Sequence, residues 1–316
     1  MSAEWENRVH TADFPFGFFY LPFLILLVFG ASSCQRHGMS DEGRLPGLFS
    51  VGLNDDGTSH QVYFSQGNLQ WSATGGTGSP TTHRVKGIGR ADGTWRFAPH
   101  QFDVVGNANS RISSTDTGWI DLFGWGTSGY DGKHPYLSDT CLAVYLDAFE
   151  DISGTQYDWG VYNAISNGGR RPNCWRTLTD EEWTYLAWER ADADSKSGVG
   201  RICLSDTTFI DGFIFLPDVW ICPAGVVFVP DDLYQDGRNT YTPSQWALME
   251  AAGAIFLPAA GNREGKTVYG VGSDFSYWTS FCSGDRIAWT VTSPYSFNAV
   301  NYYFEGHPVR LCQDCQ

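Results

Sequence analysis

Cys312 and Cys315 form a C-x-x-C pair within "CQDCQ", an arrangement that suits redox chemistry or a soft metal ion. Two thiols at this spacing can close a disulfide. A zinc site would normally need a second pair of ligands, and the sequence offers no second C-x-x-C. A terminal disulfide or two free thiols is therefore the simpler expectation, and we predict no metal at this pair.

The acidic stretch "PDDLYQD" at 230–236 carries carboxylates, which are the ligands that calcium prefers. A solvated acidic loop needs no metal, so calcium here is only an alternative to the expectation of no cofactor. The seven His residues are scattered and form no H-x-x-x-H pattern. No set of nucleophile, base and orienting group can be assembled from the sequence, and we predict no enzymatic activity.

The segment 281–307 suits binding better than catalysis. It mixes aromatic residues with short polar ones, between Tyr277 and Trp278 on one side and Val309, Arg310 and Leu311 on the other. Tyr offers a large, rigid contact area, and short polar side chains add adaptable hydrogen bonds. The predicted ligand-binding residues are Phe281, Ser283, Asp285, Arg286, Thr290, Thr292, Ser293, Tyr295, Tyr302, Tyr303, Phe304 and His307.

Strand periodicity predicts which of these side chains face outward. Neighbours on a strand point to opposite faces, so at least one of Tyr302 and Tyr303 is expected to be exposed. Along "RIAWTVT" (286–292), the alternation predicts a buried set and an outward set. The expected buried set is Ile287, Trp289 and Val291, and the expected outward set is Arg286, Ala288, Thr290 and Thr292.

Two helices are predicted by capping signals. Thr179 with Glu182, and Thr242 with Gln245, have the spacing of capping boxes, and Pro243 suits the first helical position. The helices are expected over "TLTDEEWTYLAWER" and "TPSQWALMEAAG". Several aromatic and aliphatic side chains on or near these elements are expected in the core: Trp175, Trp183, Leu186, Ala187, Trp246 and Trp278.

Short apolar runs predict strands between and after the helices. They are "GFIFLP" (212–217), "GAIFLPAAG" (253–261), "RIAWTVT" (286–292), "AVNYYF" (299–304) and "HPVRLC" (307–312). Two helices followed by a late antiparallel β meander, with long Gly-, Asn- and Asp-rich loops, predict an α+β fold.

Charge and the N-terminal segment indicate where the protein acts. The net charge of −15 repels phosphate backbones, which argues against nucleic-acid binding. The apolar stretch 14–30 is followed by "ASSC", which resembles a bacterial lipobox that ends at Cys34. We therefore predict a signal peptide over 1–34, lipidation of Cys34, a tether over 35–46 and a domain over 47–316. The expected location is the cell envelope, as an outer-membrane or cell-surface lipoprotein held by its lipid. The alternatives are that the apolar stretch is an uncleaved membrane anchor or an apolar segment of the fold.

Five stretches, in order, resemble the formylglycine-generating-enzyme-like branch of the C-type lectin fold. They are "GWIDLFGWGTSGY" (118–130), "YDWGVYNAISNGG" (157–169), "WRTLTDEEWTYL" (175–186), "AGAIFLPAAGNR" (252–263) and "YWTS…VRL" (277–311). The chain is most similar to lectin-fold lipoproteins of gut bacteria, some of which are targets of diversity-generating retroelements. The resemblance implies a C-terminal variable region at about 277–311 that binds a protein or glycan on another cell, a phage or a host surface.

The sequence also departs from what the resemblance implies for other members. Sugar-binding lectins of this fold hold calcium through Glu-Pro-Asn or Gln-Pro-Asp together with Trp-Asn-Asp, and none of these triplets occurs here. The enzyme branch oxidises a substrate cysteine with a cysteine pair and copper, whereas Cys312 and Cys315 are expected to follow the last core strand. An oxidase is therefore an alternative function, and a structural subunit of a surface appendage is another.

Overall fold

The computed structural model describes residues 41–75, 82–83, 91–146, 151–230, 239–284, 286–292 and 299–315. Strands are about twice as abundant as helices, so the fold is mixed α+β, as predicted. The strands are β1 Phe49–Leu53, β2 Ser59–Phe64, β3 Leu69–Ser72, β4 Thr82–His83, β5 Ala91–Asp92, β6 Thr94–Phe97, β7 Arg176–Thr177, β8 Ser197–Cys203, β9 Phe209–Phe215, β10 Thr240–Tyr241, β11 Ile255–Pro258, β12 Asn262–Glu264, β13 Thr267–Tyr269, β14 Tyr277–Cys282, β15 Ile287–Val291, β16 Ala299–Tyr302 and β17 Leu311–Asp314. The α-helices are α1 Trp159–Tyr162, α2 Asp180–Thr184 and α3 Pro243–Ala251.

Both predicted capping boxes are present. The Thr179 hydroxyl accepts from the Glu182 N–H at the start of α2, and the Thr242 hydroxyl accepts from the Gln245 N–H at the start of α3. In each, the side chain three positions on accepts in return from the N-cap N–H. α2 continues as a π-helical turn over Tyr185–Glu189. The core positions predicted around both helices are confirmed, because each is at most 2% exposed: Trp175, Trp183, Leu186, Ala187, Trp246 and Trp278.

The first sheet joins the two ends of the domain. Its strand order is β1–β2–β17–β7, and β17 pairs antiparallel with β2, so that Cys312 lies opposite Phe64. The last strand therefore belongs to this sheet and is not the final strand of a late meander. It also begins at Leu311, so "HPVRLC" is strand only at its end.

The packed domain begins before Gly47, where the predicted tether was expected to end. Arg44 forms a β-bridge with Ser65, the Leu45 N–H donates to the Phe64 carbonyl at 2.9 Å, and the Leu45 side chain is buried. The last residues of the predicted tether are part of the fold because Leu45 adds apolar surface to the core.

Arg310 is a buried cation that connects the C-terminal segment to three other parts of the chain. Its guanidinium donates to the Ser65 carbonyl at 3.2 Å, to Gln101 Oε1 at 3.3 Å and to the Phe256 carbonyl. Burial lowers its pKa to about 10, so it stays charged at neutral pH. Three acceptors compensate much of the cost of burying this charge, and the contact fixes where β17 starts.

Two other sheets among the described residues have three or more strands. One has the order β10–β8–β9–β11, and the other is the antiparallel meander β14–β15–β16. In the second sheet, Trp278 pairs with Thr290 and Cys282 pairs with Ala288, which leaves a bulge of two extra residues in β14. Within the bulge, the Ser280 N–H donates to Leu178 and the Ser280 carbonyl accepts from Ile152. The bulge thus ties the meander to two neighbouring segments.

Candidate ligand-binding face

The meander β14–β15–β16 has one face that is covered by the core and one that is partly open. The open side chains are large and mostly aromatic, and we call this surface the aromatic face. It consists of Phe281, Ile287, Trp289, Val300, Tyr302 and Phe304. Val300 is 53% exposed and Tyr302 is 48% exposed, and the other four are half-buried.

Strand register places these side chains together. Ile287 lies opposite Tyr302 and Trp289 lies opposite Val300, and residues opposite each other in an antiparallel pair point to the same side. Phe304 lies in the turn that follows β16 and reaches this face by stacking on Tyr302. The aromatic face is therefore a consequence of the pairing between β15 and β16.

Two ring pairs support the aromatic face. Phe281 meets Trp289 edge to face, with centroids 5.2 Å apart and planes at 78°. Tyr302 and Phe304 are stacked, with centroids 5.3 Å apart and planes at 9°. Such pairs are each worth about 0.5–1.5 kcal/mol beyond area burial. They hold large apolar side chains in fixed positions at the surface, which lowers the entropy that a ligand must remove on binding.

The opposite face of the meander is core, which corrects the expected strand orientation. Ala288 and Thr290, predicted to face outward, are fully buried, whereas Ile287 and Trp289, predicted to be buried, are half-exposed. Only Val291 is buried as predicted. Thr290 Oγ1 accepts from Asn301 Nδ2 at 2.7 Å and donates to the Ala299 carbonyl at 3.3 Å, so its hydroxyl is satisfied without water.

Tyr303 and His307 are likewise core residues and not ligand-binding ones. Tyr303 stacks on Trp125 with ring centroids 4.6 Å apart. His307 is 2% exposed, meets Trp278 edge to face at 4.6 Å, and has Nε2 3.5 Å from Glu305 Oε2. Burial lowers the pKa of His307, although Glu305 opposes this, so the ring is neutral at pH 7. Large aromatic neighbours and exclusion from solvent remove both residues from the surface.

The other predicted binding residues lie just beyond the ends of β14 and β15 or outside the described residues. Ser283 is exposed in the turn between β14 and β15, and Arg286 and Thr292 are half-buried at the two ends of β15. Arg286 has a left-handed backbone with φ of 62°, which is costly for a residue with a Cβ. Asp285, Ser293 and Tyr295 lie outside the described residues.

Three members of the aromatic face escaped the sequence prediction: Ile287, Trp289 and Val300. Ile287 and Trp289 were assigned to the core because they alternate with the set Arg286, Ala288, Thr290 and Thr292, which was expected to face outward. Val300 precedes Tyr302 by two positions, so strand periodicity alone would have placed it beside an outward Tyr302. The missing information was which of the two faces the rest of the protein covers.

Cys312 is buried in β17, within the core rather than after it. It is a free thiol, so it forms no disulfide with Cys315. Burial raises its pKa well above the usual value, although the nearby Arg176 opposes this. A buried thiol that resists ionisation is a poor metal ligand and a poor nucleophile, which gives the copper-oxidase alternative no support.

Within the described ranges, no group of three His, Cys, Asp or Glu side chains is arranged to hold a metal ion. The acidic stretch considered for calcium, 230–236, lies outside the described residues except for Pro230. Cys34 and the predicted signal peptide also lie outside them. No helix among the described residues has the length and apolar character needed to cross a lipid bilayer.

Two buried carboxyl groups are structural. Asp121 accepts from the Val105 N–H and from Asn109 Nδ2, each at 2.8 Å, and burial raises its pKa to about 6. Asp158 caps α1 and accepts from the Thr177 N–H at 2.9 Å, and burial raises its pKa to about 6 as well. Both are fully buried and bonded to neighbouring backbone, which assigns them a structural role.

No protein-family model matches this chain, and neither a curated protein nor a solved structure is found to resemble it. The C-type lectin-like fold therefore stays a prediction from sequence motifs.

Proposed function

We propose that this protein is an envelope-anchored ligand-binding protein of C-type lectin-like fold. Its binding surface is the aromatic face of the β14–β15–β16 meander, and its ligand is a protein or glycan on another cell, a phage or a host surface. The observation that carries the proposal is the pairing of Ile287 with Tyr302 and of Trp289 with Val300. These contacts place four large, partly exposed side chains on one ordered sheet.

The location of apolar side chains supports binding rather than a purely structural role. Large apolar side chains are normally exposed singly on a soluble surface, whereas a contiguous ordered patch marks an interaction site. Here six such residues are adjacent, and four of them are aromatic. The strands β14 and β15 that carry the patch are followed or preceded by the polar residues Ser283, Arg286 and Thr292.

The fold assignment within this proposal is supported by the order of the five sequence motifs. Each motif contributes a fully buried ring to the core, and these rings include Trp125, Trp159, Trp183, Phe256 and Trp278. The same resemblance implies that the C-terminal segment is subject to diversification. A reverse-transcriptase gene near this gene, with a near-copy of its 3′ end that differs at template adenines, would support that part of the proposal. Absence of both would remove it and leave ligand binding untouched.

Paired charge substitutions test the binding face directly. Val300→Asp places a carboxylate in the aromatic face, and Val219→Asp places one at an unrelated site that is 83% exposed. Labelled full-length protein is applied to intact bacterial and host cells and to immobilised glycans, and bound label is measured. We expect Val300→Asp to abolish binding to any surface that retains the wild type, and Val219→Asp to retain it. Equal binding by both variants would contradict the proposal.

A further inference from the structure

A cleft of about 550 Å³ lies apart from the aromatic face, beside the two-stranded sheet β3–β6 and the 3₁₀ turn Gly106–Arg111. Its polar and aromatic lining consists of Gln70, Arg96, Phe102, Asp103, Arg111 and Trp119, and most of the remaining wall is aliphatic. The volume is within the range of small-molecule sites, which are mostly apolar with a few convergent polar groups.

Arg96 is held in one orientation in this cleft. Its guanidinium lies over the Trp119 ring, 3.7 Å from the centroid, and its Nε donates to Gln70 Oε1 at 2.9 Å. Stacking fixes the plane of the guanidinium, and the Gln70 bond uses one edge. Within the part of the chain that the structure describes, the two Nη atoms have no hydrogen-bond or ion-pair partner. An ordered pair of donors is therefore available to a ligand.

Arg111 adds a second cation to the same cleft. It ends the 3₁₀ turn, is exposed, and has Nη2 beside Gly118, the residue before Trp119. No described carboxylate forms an ion pair with it. Asp103, the acidic residue of the lining, is already bonded by the His100 N–H at 2.9 Å and by His100 Nδ1 at 3.1 Å. The lining thus contains two guanidinium groups and one carboxylate, and the charge of Asp103 also acts on Arg96. The net charge of the chain is −15.

We propose that this cleft binds a small organic carboxylate that carries a ring. A guanidinium presents two parallel N–H donors that match the two oxygens of a carboxylate, and Arg96 is oriented in advance for such a pair. Arg111 adds charge attraction. Phe102 and the aliphatic wall bury the ring, which an inorganic anion would leave uncovered. This site is independent of the aromatic face and of the ligand proposed for it.

The experiment uses purified full-length protein and 4-fluorobenzoate as the probe, with 4-fluorobenzyl alcohol as its uncharged counterpart. Binding is followed by fluorine NMR line broadening. We expect 4-fluorobenzoate to bind and the alcohol to bind at least about tenfold more weakly, because a hydrogen bond to a charged group is worth more than one decade in affinity. Failure of 4-fluorobenzoate to bind at millimolar concentration, or equal binding of the alcohol, would overturn the proposal.

Variants assign the binding to this cleft. Arg111→Gln removes an exposed charge and should weaken 4-fluorobenzoate binding by about tenfold, with Arg96→Gln as an independent second variant. Arg44→Gln is the matched control, because Arg44 also stacks on a ring, Tyr63, at 4.0 Å but pairs with Asp41 elsewhere. Unchanged binding in both cleft variants would overturn the proposal. Displacement of the probe by inorganic phosphate more readily than by acetate would overturn the carboxylate class.

Discussion

Tyr302 and Tyr303 are adjacent in the chain but lie on opposite faces of the β14–β15–β16 meander. Tyr302 is 48% exposed and stacks on Phe304 at the surface, whereas Tyr303 is fully buried and stacks on Trp125. The expectation that at least one of the two faces outward is confirmed. A single step along the chain separates a side chain available to a ligand from one that holds the sheet to the core.

This separation predicts unequal effects of the two alanine substitutions on stability. Tyr303→Ala should lower the free energy of unfolding by about 3–5 kcal/mol, because it leaves a cavity against Trp125. Tyr302→Ala should lower it by less than about 1 kcal/mol, since it loses only a surface ring contact. Tyr269→Ala, at a Tyr that is 49% exposed, is the control for Tyr302→Ala. Urea unfolding curves provide the measurement, and similar losses for Tyr302 and Tyr303 would refute the assigned faces.

Trp278 connects β14 to the loop before Gly124. Its indole N–H donates to the Phe123 carbonyl at 2.6 Å, and the ring is 1% exposed. Trp278→Ala should therefore cost about 3–5 kcal/mol, and Trp278→Phe less, because Phe refills most of the volume but leaves the carbonyl without this donor. Thermal melts would show the largest midpoint decrease for the alanine variant. An unchanged midpoint in Trp278→Ala would be incompatible with its position.

The raised pKa of Asp121 leads us to predict that this residue makes the folded protein more stable on mild acidification. Its pKa is raised by burial to about 6 in the folded state, whereas a carboxyl in the unfolded chain titrates near 4. The folded protein therefore takes up a proton between about pH 6 and pH 4, and the free energy of unfolding rises as the pH falls through that window. Between pH 7 and about pH 4.5 the wild type should gain about 2 kcal/mol more than Asp121→Asn, which cannot titrate there. Denaturant unfolding at both pH values measures this difference, and an equal gain in the variant would contradict it.

Lipidation at Cys34 is predicted from the "ASSC" sequence and is independent of the described structure. Cys34→Ser should abolish incorporation of labelled fatty acid and leave the precursor uncleaved or the protein released. Metabolic labelling in a bacterial host gives the result, with Cys222→Ser as a control at an exposed thiol. Labelling that persists in Cys34→Ser would show that another residue carries the lipid.

Local signals were sufficient to predict two of the three α-helices among the described residues, α2 and α3, and the strands β9, β11, β15 and β16. Thr179 with Glu182, and Thr242 with Gln245, act within one helical turn, so their sequence spacing determines the contact. The strand "RIAWTVT" was predicted because its pattern of apolar residues is also a local signal. The pairing of β17 with β2 was not, because it depends on contacts between residues about 250 positions apart.

The predicted orientation of β15 was wrong because alternation alone does not identify which side of the strand the rest of the protein covers. The covered side is crowded by Trp278, Tyr303 and Trp125, so only small residues fit opposite them, and Ala288 and Thr290 occupy those positions. The larger Ile287 and Trp289 are consequently turned toward solvent. The polar Thr290 is accommodated inside because Asn301 and Ala299 satisfy its hydroxyl.

The most direct measurement of the central claim is hydroxyl-radical footprinting of the protein bound to a cell or glycan surface that retains it. Oxidation of Trp289, Tyr302 and Phe304 should fall on binding, because these side chains become covered. Oxidation of Tyr269 and of Trp188, which is 45% exposed, should stay constant. The contrary result would be protection at Tyr269 or Trp188 while Trp289, Tyr302 and Phe304 stay as reactive as in the free protein. That result would show that the ligand binds elsewhere and would contradict the account.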